Sequence, residues 1–292
     1  MLYLSEFYFS SEDVEYNFLY KIRDTCYTTF YPFGILTRHS LNMLEFGDIT
    51  LLYGGNGCGK TTVLNVIAET LNLERSTLYN RSNFFEDYIN YCGYDIQKSI
   101  PKGSRIITSD DVFDYMLDLR SINDNIDIKR DELFDEYYTN RYLKEGFQLK
   151  SLNDLEELKM INEARNKNTS KSKYTKRRLI DNIQEHSNGE SAFIYFSDKI
   201  KGNALYLLDE PENSLSPEKQ LELCSFLSDS ARFFGCQFII STHSPFLLSM
   251  ENAVVYDLDL ETACRRKWTE LPNVRTYYEF FRKHSDEFES GD

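Results

Sequence analysis

The sequence predicts an α/β fold, with a mostly parallel sheet flanked by helices, an antiparallel β part at the N-terminus and a helical lobe inserted in the middle. Three observations predict it. Short apolar runs, "DITLLY", "ALYLLDE", "CQFIIST" and "AVVYDLD", have the length and apolar content of buried strands. In the last third these runs alternate with helical patterns, the usual connection between parallel strands. From residue 112 to 165 the apolar residues instead recur every three or four positions amid dense charge, which is a helical signature.

In chain order, "LYLSEFYF" and "DITLLY" read as strands separated by the turn-containing "YPFGILTRHS", and together they form the expected N-terminal β part. A helix follows from Lys60 to about Leu71. The next stretch is rich in Asn, Ser and Tyr and ends in "SRIITSDD", a strand stopped by polar residues. The lobe sustains no heptad run, so it is a short helical insertion and not a coiled-coil arm. "NKNTSKSKYTKRR", residues 166–178, reads as a basic, mobile linker. Its Lys171, Lys173, Lys176, Arg177 and Arg178 are first a solvated run and second a phosphate-binding patch. Beyond it, "PEKQLELCSFLSDSARFF" is a helix capped by Ser216 with Pro217 in its first turn, and Cys224, Leu227, Ala231 and Phe234 share one face. "SPFLLSM" is a short helix before the last strand. The expected organisation is a single domain over 1–292, with the lobe and basic linker at 108–180.

Hydrophobic residues make up 41% of the chain, which carries 21 Tyr and 21 Phe, so it is a folded protein with an aromatic core. Six scattered cysteines without a C-x-x-C pair argue against a zinc site or a disulfide framework. A formal charge of −14 disfavours nucleic-acid binding by the average surface and leaves a protein partner at least as strongly expected. No run approaches a membrane span and the N-terminus lacks a signal-peptide pattern, so the expectation is a cytoplasmic chain with no membrane insertion.

Chemistry enters with "GGNGCGKT", residues Gly54, Gly55, Asn56, Gly57, Cys58, Gly59, Lys60 and Thr61, between a strand and a helix. In that context glycines turn backbone N–H groups toward phosphates, and the helix N-terminus adds positive potential. The ligand is then ATP. Lys60 reaches the β- and γ-phosphates, Thr61 ligates Mg2+ and Thr62 bonds the α-phosphate. Cys58, inside the loop, reads as a tolerated small residue and not a redox switch. "LYLLDEPENSLSP" delivers Asp209 to a strand's C-terminal end, where it completes the Mg2+ shell, and Glu210 beside it polarises an attacking water. "FIISTHSPF" ends another strand in Ser241, Thr242 and His243, placing an imidazole near the γ-phosphate or the water. The polar septet "EHSNGES", residues 185–191, opens an apolar helix and offers a helix N-terminus and the Ser187 hydroxyl to an anion.

The order of these four motifs resembles that of the ABC-type ATPases over roughly residues 1–75 and 180–260. Within that group the chain is similar to small bacterial standalone ATPases related to RecF-type and structural-maintenance-of-chromosomes heads. The resemblance implies that Ser187, Gly189 and Glu190 occupy the signature motif, and that "ENSLSP", Glu212 to Pro217, occupies the D-loop, with Asn213 to Leu215 near a dimer interface. In such enzymes the signature faces the γ-phosphate bound by the opposite protomer, so the resemblance implies an ATP-dependent homodimer. It also implies a Q-loop glutamine at the metal, for which Gln97 is the candidate and Gln148 a weaker one, and an adenine-stacking ring at Tyr31 or Phe33. "SNGES" departs from the LSGGQ of transporter subunits, which favours the RecF-like branch. The competing readings are a transporter's nucleotide-binding subunit and a slow-turnover, ATP-controlled binding module.

Overall fold

The computed structural model describes residues 2–22, 26–142, 154–166, 169–176, 178–179 and 188–289. They fall into two compact units, residues 1–113 with 187–292, and residues 114–186.

The larger unit is built on β3 (Ile49–Tyr53), β6 (Leu205–Asp209) and β7 (Gln237–Ser241), in which every residue is buried. Burial on both faces is what makes these runs continuously apolar. With β1 (Leu4–Tyr8), β2 (Met43–Glu45), β4 (Gly93–Ile96), β5 (Arg105–Thr108), β8 (Val254–Asp257) and β9 (Cys264–Arg265), they form two sheets. The larger has the order β5-β6-β7-β3-β8-β9, parallel except for β9, and the smaller is the antiparallel β2-β1-β4. The expected N-terminal β part is thus divided. "LYLSEFYF" gives β1 of the small sheet, whose partly exposed pattern suits an antiparallel layer, whereas "DITLLY" gives β3, inside the parallel sheet.

Register decides what meets at the sheet's edge. Thr108 lies beside Asp209, Asp209 beside Ser241, and Ser241 beside Leu52, so the C-terminal ends of β5, β6, β7 and β3 form one row. α1 (Glu12–Lys21) buries only Glu15, whereas α2 (Lys60–Thr70) buries Val63, Leu64, Val66 and Ile67 against β6 and β7. This unit's core contains Phe7, Leu44, Phe85, Tyr88, Leu207 and Ile239, with Phe85 and Tyr88 from the short α3 (Phe85–Ile89).

α4 (Ser109–Tyr142), a helix of 34 residues, begins at the end of β5, and from residue 114 on it belongs to the smaller unit, as do α5 (Asp154–Arg165) and α6 (Lys171–Lys176). The last of these corrects the expectation of a linker. Tyr174 of α6 is fully buried with Leu133, Tyr137 and Ala164, and its hydroxyl bonds Glu136 Oε1 at 2.5 Å. Lys171 Nζ lies 3.9 Å from the centre of the Phe134 ring, and Arg178 stacks on Tyr174 while pairing with Glu163. Those two cations are therefore used within the lobe. Lys173 and Lys176 are exposed, and Arg177 lies outside the described residues.

In the larger unit α7 (Asn188–Lys199) precedes β6, and α8 (Pro217–Phe233) joins β6 to β7. Ser216 caps α8 as expected, accepting a bond from the Lys219 N–H. Its buried stripe is Leu223, Leu227, Ser230 and Ala231, so the expected face is rotated and Phe234 is 60% exposed. α9 (Pro245–Leu248), α10 (Pro272–Lys283) and α11 (Ser285–Glu289) complete the chain.

Candidate active site

The loop after β3 takes the backbone shape its glycines permit. Gly57 and Gly59 have φ of +85° and +102°, in the left-handed region, and a Cβ on Gly59 would lie 3.1 Å from Leu36 Cδ2 and 3.2 Å from Ile35 Cγ2. Cys58 is buried against Gly54, and burial pushes its thiol upward, so it packs as a neutral side chain. Lys60 starts α2 with its side chain 5% exposed. Its Nζ donates to Gly54 O at 2.9 Å, Gly55 O at 3.3 Å and His243 Nε2 at 2.7 Å, and lies 3.7 Å from Glu210 Oε1.

An ammonium can only donate, so His243 Nε2 is an acceptor here and the ring proton sits on Nδ1. Burial, then the Lys60 charge, hold the imidazole below its ordinary value, against the pull of Glu210. It is therefore neutral at neutral pH. Glu210 Oε1 lies 3.3 Å from the same Nε2, so three motifs from three strand ends meet at one point. The placement of β7 between β3 and β6 is what produces this meeting.

Glu210 leaves β6 with φ +47°, a left-handed turn uncommon for a residue with a side chain. The turn is fixed by its N–H, which donates to Ser241 O at 3.0 Å and Ser241 Oγ at 3.1 Å. Asn213 Nδ2 holds the other carboxylate oxygen at 3.1 Å. Asp209, 8% exposed, accepts bonds from Thr61 Oγ1 at 3.2 Å and from the Ser241 hydroxyl. Burial pushes its carboxyl upward and the two hydroxyls oppose this. A buried carboxylate beside a hydroxyl, at a phosphate-binding loop, is the hard-oxygen donor pair that suits Mg2+, which keeps waters and takes phosphate oxygens for its remaining positions. Among the described residues no cluster of three or more His, Cys, Asp or Glu forms a self-sufficient metal cage, in keeping with so sparse a set.

The loop, Ile35, Thr61, Thr62 and Glu210 line a cavity of about 340 Å3. Beside it a cavity of about 400 Å3 shares Thr61 and Thr62 and is lined further by Tyr31, Arg75, Thr108 and Asp209. Tyr31 donates its hydroxyl to Thr62 Oγ1 at 3.1 Å, so this ring borders the nucleotide region. Phe33 does not. It is buried in the core, stacked on Phe18 with centroids 4.5 Å apart. Gln97 is not brought to the metal position either. It follows β4 of the small sheet, exposed, and its N–H bonds Tyr3 O, whereas Thr108, Ser109 and Asp110 at the end of β5 border Asp209. Gly189 and Glu190 open α7, and a Cβ on Gly189 would meet Ser214 O at 3.4 Å, which places the start of α7 against the D-loop. Ser187 and Gln148 lie outside the described residues.

The sequence reading missed three groups. Glu212 Oε1 accepts from Thr242 Oγ1, His243 N and Ser244 N, Asn273 Nδ2 donates to His243 O, and Asp259 Oδ1 accepts from Gly55 N at 2.6 Å. Asp259 follows the C-terminal end of β8, so the strand-end rule that found Asp209 would also have found it.

The family model described as "AAA domain, putative AbiEii toxin, Type IV TA system" matches residues 81–249, more than half of the chain. The chain belongs to this AAA-domain family. The match begins after the P-loop, so the nucleotide site of this AAA-domain ATPase rests independently on its motif and geometry. No curated protein matches the AAA-domain chain. Among solved structures it is similar to the Smc head domain of Pyrococcus furiosus, with an extended coiled coil and bound to the C-terminal domain of ScpA. Identity there is 12%, over 97% of this chain and 100% of that one, with a TM-score of 0.44. It is also similar to a nucleotide-free ATP-binding cassette from an ABC transporter, at 14% identity over 81% of this chain and 90% of that one, with a TM-score of 0.41. Among the described residues, no helix of the AAA-domain ATPase is long and apolar enough to cross a membrane.

Proposed function

We propose that this P-loop ATPase works as an ATP-sandwich homodimer that closes on Mg·ATP, opens after hydrolysis, and acts on a protein partner in the cytoplasm. The observation that carries this reading is the lining of the phosphate cavity. The P-loop, Ile35 and Glu210 contribute to it, and among the described residues α7 does not. A helix N-terminus with signature-like residues, set against the D-loop and away from its own chain's phosphates, is suited to a nucleotide held by a second copy.

In this reading Lys60 and the amides of residues 54–59 hold the phosphates, and Thr61 and Asp209 hold Mg2+, which neutralises phosphate charge when bound. Binding draws the Lys60 ammonium from the acceptors it now holds. His243 Nε2 and Glu210 Oε1 are then free to orient one water between them, and Glu210 takes its proton. Ser187, Gly189 and Glu190 complete the site across the dimer.

Mixing two inactive variants tests this. Lys60→Ala lacks the P-loop ammonium and Ser187→Arg blocks the signature, so each homodimer has only broken sites. A mixed dimer has one intact site. Equal mixing of the two should restore about a quarter of the wild-type rate, the share expected from random pairing of subunits in a two-fold dimer. A mixture no more active than its components rejects the shared site.

A further inference from the structure

We propose that Glu212 and Asn273 are positioning residues for His243, the one holding its N–H and the other its C=O, and tying the D-loop to the imidazole; this rests on the ATPase reading above. His243 stands just past β7, where sheet pairing no longer fixes the backbone. Its N–H donates to Glu212 Oε1 at 2.6 Å, and its C=O accepts from Asn273 Nδ2 at 2.9 Å. The same Glu212 oxygen takes the Thr242 hydroxyl at 2.7 Å and the Ser244 N–H at 3.1 Å. One carboxylate oxygen therefore gathers three consecutive residues, and two of its bonds are to backbone amides that a side-chain change at 242–244 would leave in place.

The other end of each clamp is anchored as well. Glu212 lies in the turn that Glu210 begins, where Asn213 N bonds Glu210 O at 3.1 Å and Asn213 Nδ2 bonds the Glu210 carboxylate. A shift of this turn would move Glu210 and the His243 backbone together. Asn273, in the first turn of α10, receives its own fixing from the end of β3, its N–H facing Tyr53 Oη at 3.4 Å. Glu212 Oε2 and Asn273 Oδ1 are buried without a partner among the described residues. Each side chain is thus committed through its one bonded end, to the backbone of the loop that carries His243.

The test uses the full chain and steady-state turnover of Mg·ATP. Glu212→Ala should lower kcat by about 30-fold or more with KM within about threefold, as removal of groups that orient a functional imidazole usually does. Glu212→Gln keeps an oxygen able to accept the same three bonds and should recover kcat to within about fivefold of wild type. Asn273→Ala removes one bond and should lower kcat by about three- to tenfold, and it carries the test alone if Glu212→Ala does not fold. The proposal is overturned if Glu212→Ala or, in its absence, Asn273→Ala keeps wild-type kcat, if the loss lies in KM, or if Glu212→Gln is as inactive as Glu212→Ala. Lys60→Ala is measured alongside. If it still turns over, the ATPase reading beneath the proposal falls; if it is inactive while Glu212→Ala is not impaired, the positioning role alone is removed.

Discussion

Asp209 carries two opposed demands. Its carboxylate is buried at the end of β6, and burial raises its pKa, so in the free chain its contribution to stability is full below the ordinary carboxylate range and is lost as pH rises through the raised value. Asn keeps an acceptor for the Thr61 and Ser241 hydroxyls and removes the buried charge. Asp209→Asn should therefore stabilise the metal-free chain at pH 7.5 by about 1 kcal/mol, a rise in Tm of about 2–4 °C, while turnover with Mg2+ is lost. Denaturation at pH 7.5 and pH 4 checks it: the advantage should be present at the first and vanish at the second. Glu210 shows a similar conflict in its backbone, since a left-handed residue at the end of a buried strand is strained but turns its carboxylate toward His243 and Lys60. These two residues were legible because acids ending an apolar run stand out. Glu212 was not, because its role depends on the amides of a loop thirty residues away, and nothing in "DEPEN" shows which acid faces inward.

Among the elements, the parallel strands and α2 were legible because burial on both faces leaves no polar alternation to read. Of the small sheet only β1 was, since β4 is exposed apart from Gly93 and β2 has only three residues. Gln97 was chosen by its distance after the P-loop. It lies just past β4 of the small sheet, and it is the end of β5, not Gln97, that pairs beside Asp209. α6 was hidden by its basic composition, although one fully buried tyrosine is enough to dock it. Side chains from three strands of the larger sheet join it to the smaller: Tyr256 Oη of β8 bonds the N–H and C=O of Glu45 on β2, Arg265 of β9 pairs with the Glu45 carboxylate, and Gln237 of β7 reaches β1. Gln237, fully buried on β7, accepts from Tyr3 N at 2.8 Å and Leu4 N at 2.9 Å, and donates to Leu4 O at 2.7 Å and Gly47 O at 3.1 Å. Gln237→Leu would leave two buried amides and a carbonyl unpaired, at about 1–3 kcal/mol each. We expect a loss of about 3–5 kcal/mol by urea denaturation, with amide exchange accelerated first in β1; a loss under about 1 kcal/mol would show that the Tyr256 and Arg265 bonds to Glu45 suffice to hold the sheets together.

At the scale of the molecule, a chain of net charge −14 assembles a phosphate site from one lysine, a glycine loop and the ends of parallel strands. Its P-loop, acids and histidine meet at bonding distance within one chain, while among the described residues the α7 N-terminus does not line the same cavity. That separation is why the account needs a second copy. The most direct test of it is the solution mass of Glu210→Gln, whose nucleotide site keeps its shape but lacks the carboxylate that takes the water's proton. By light scattering after size exclusion in saturating Mg·ATP, the variant should have twice the mass of the chain, and it should return to a single chain when nucleotide is removed. A Glu210→Gln chain that binds ATP and stays at single-chain mass would contradict the account.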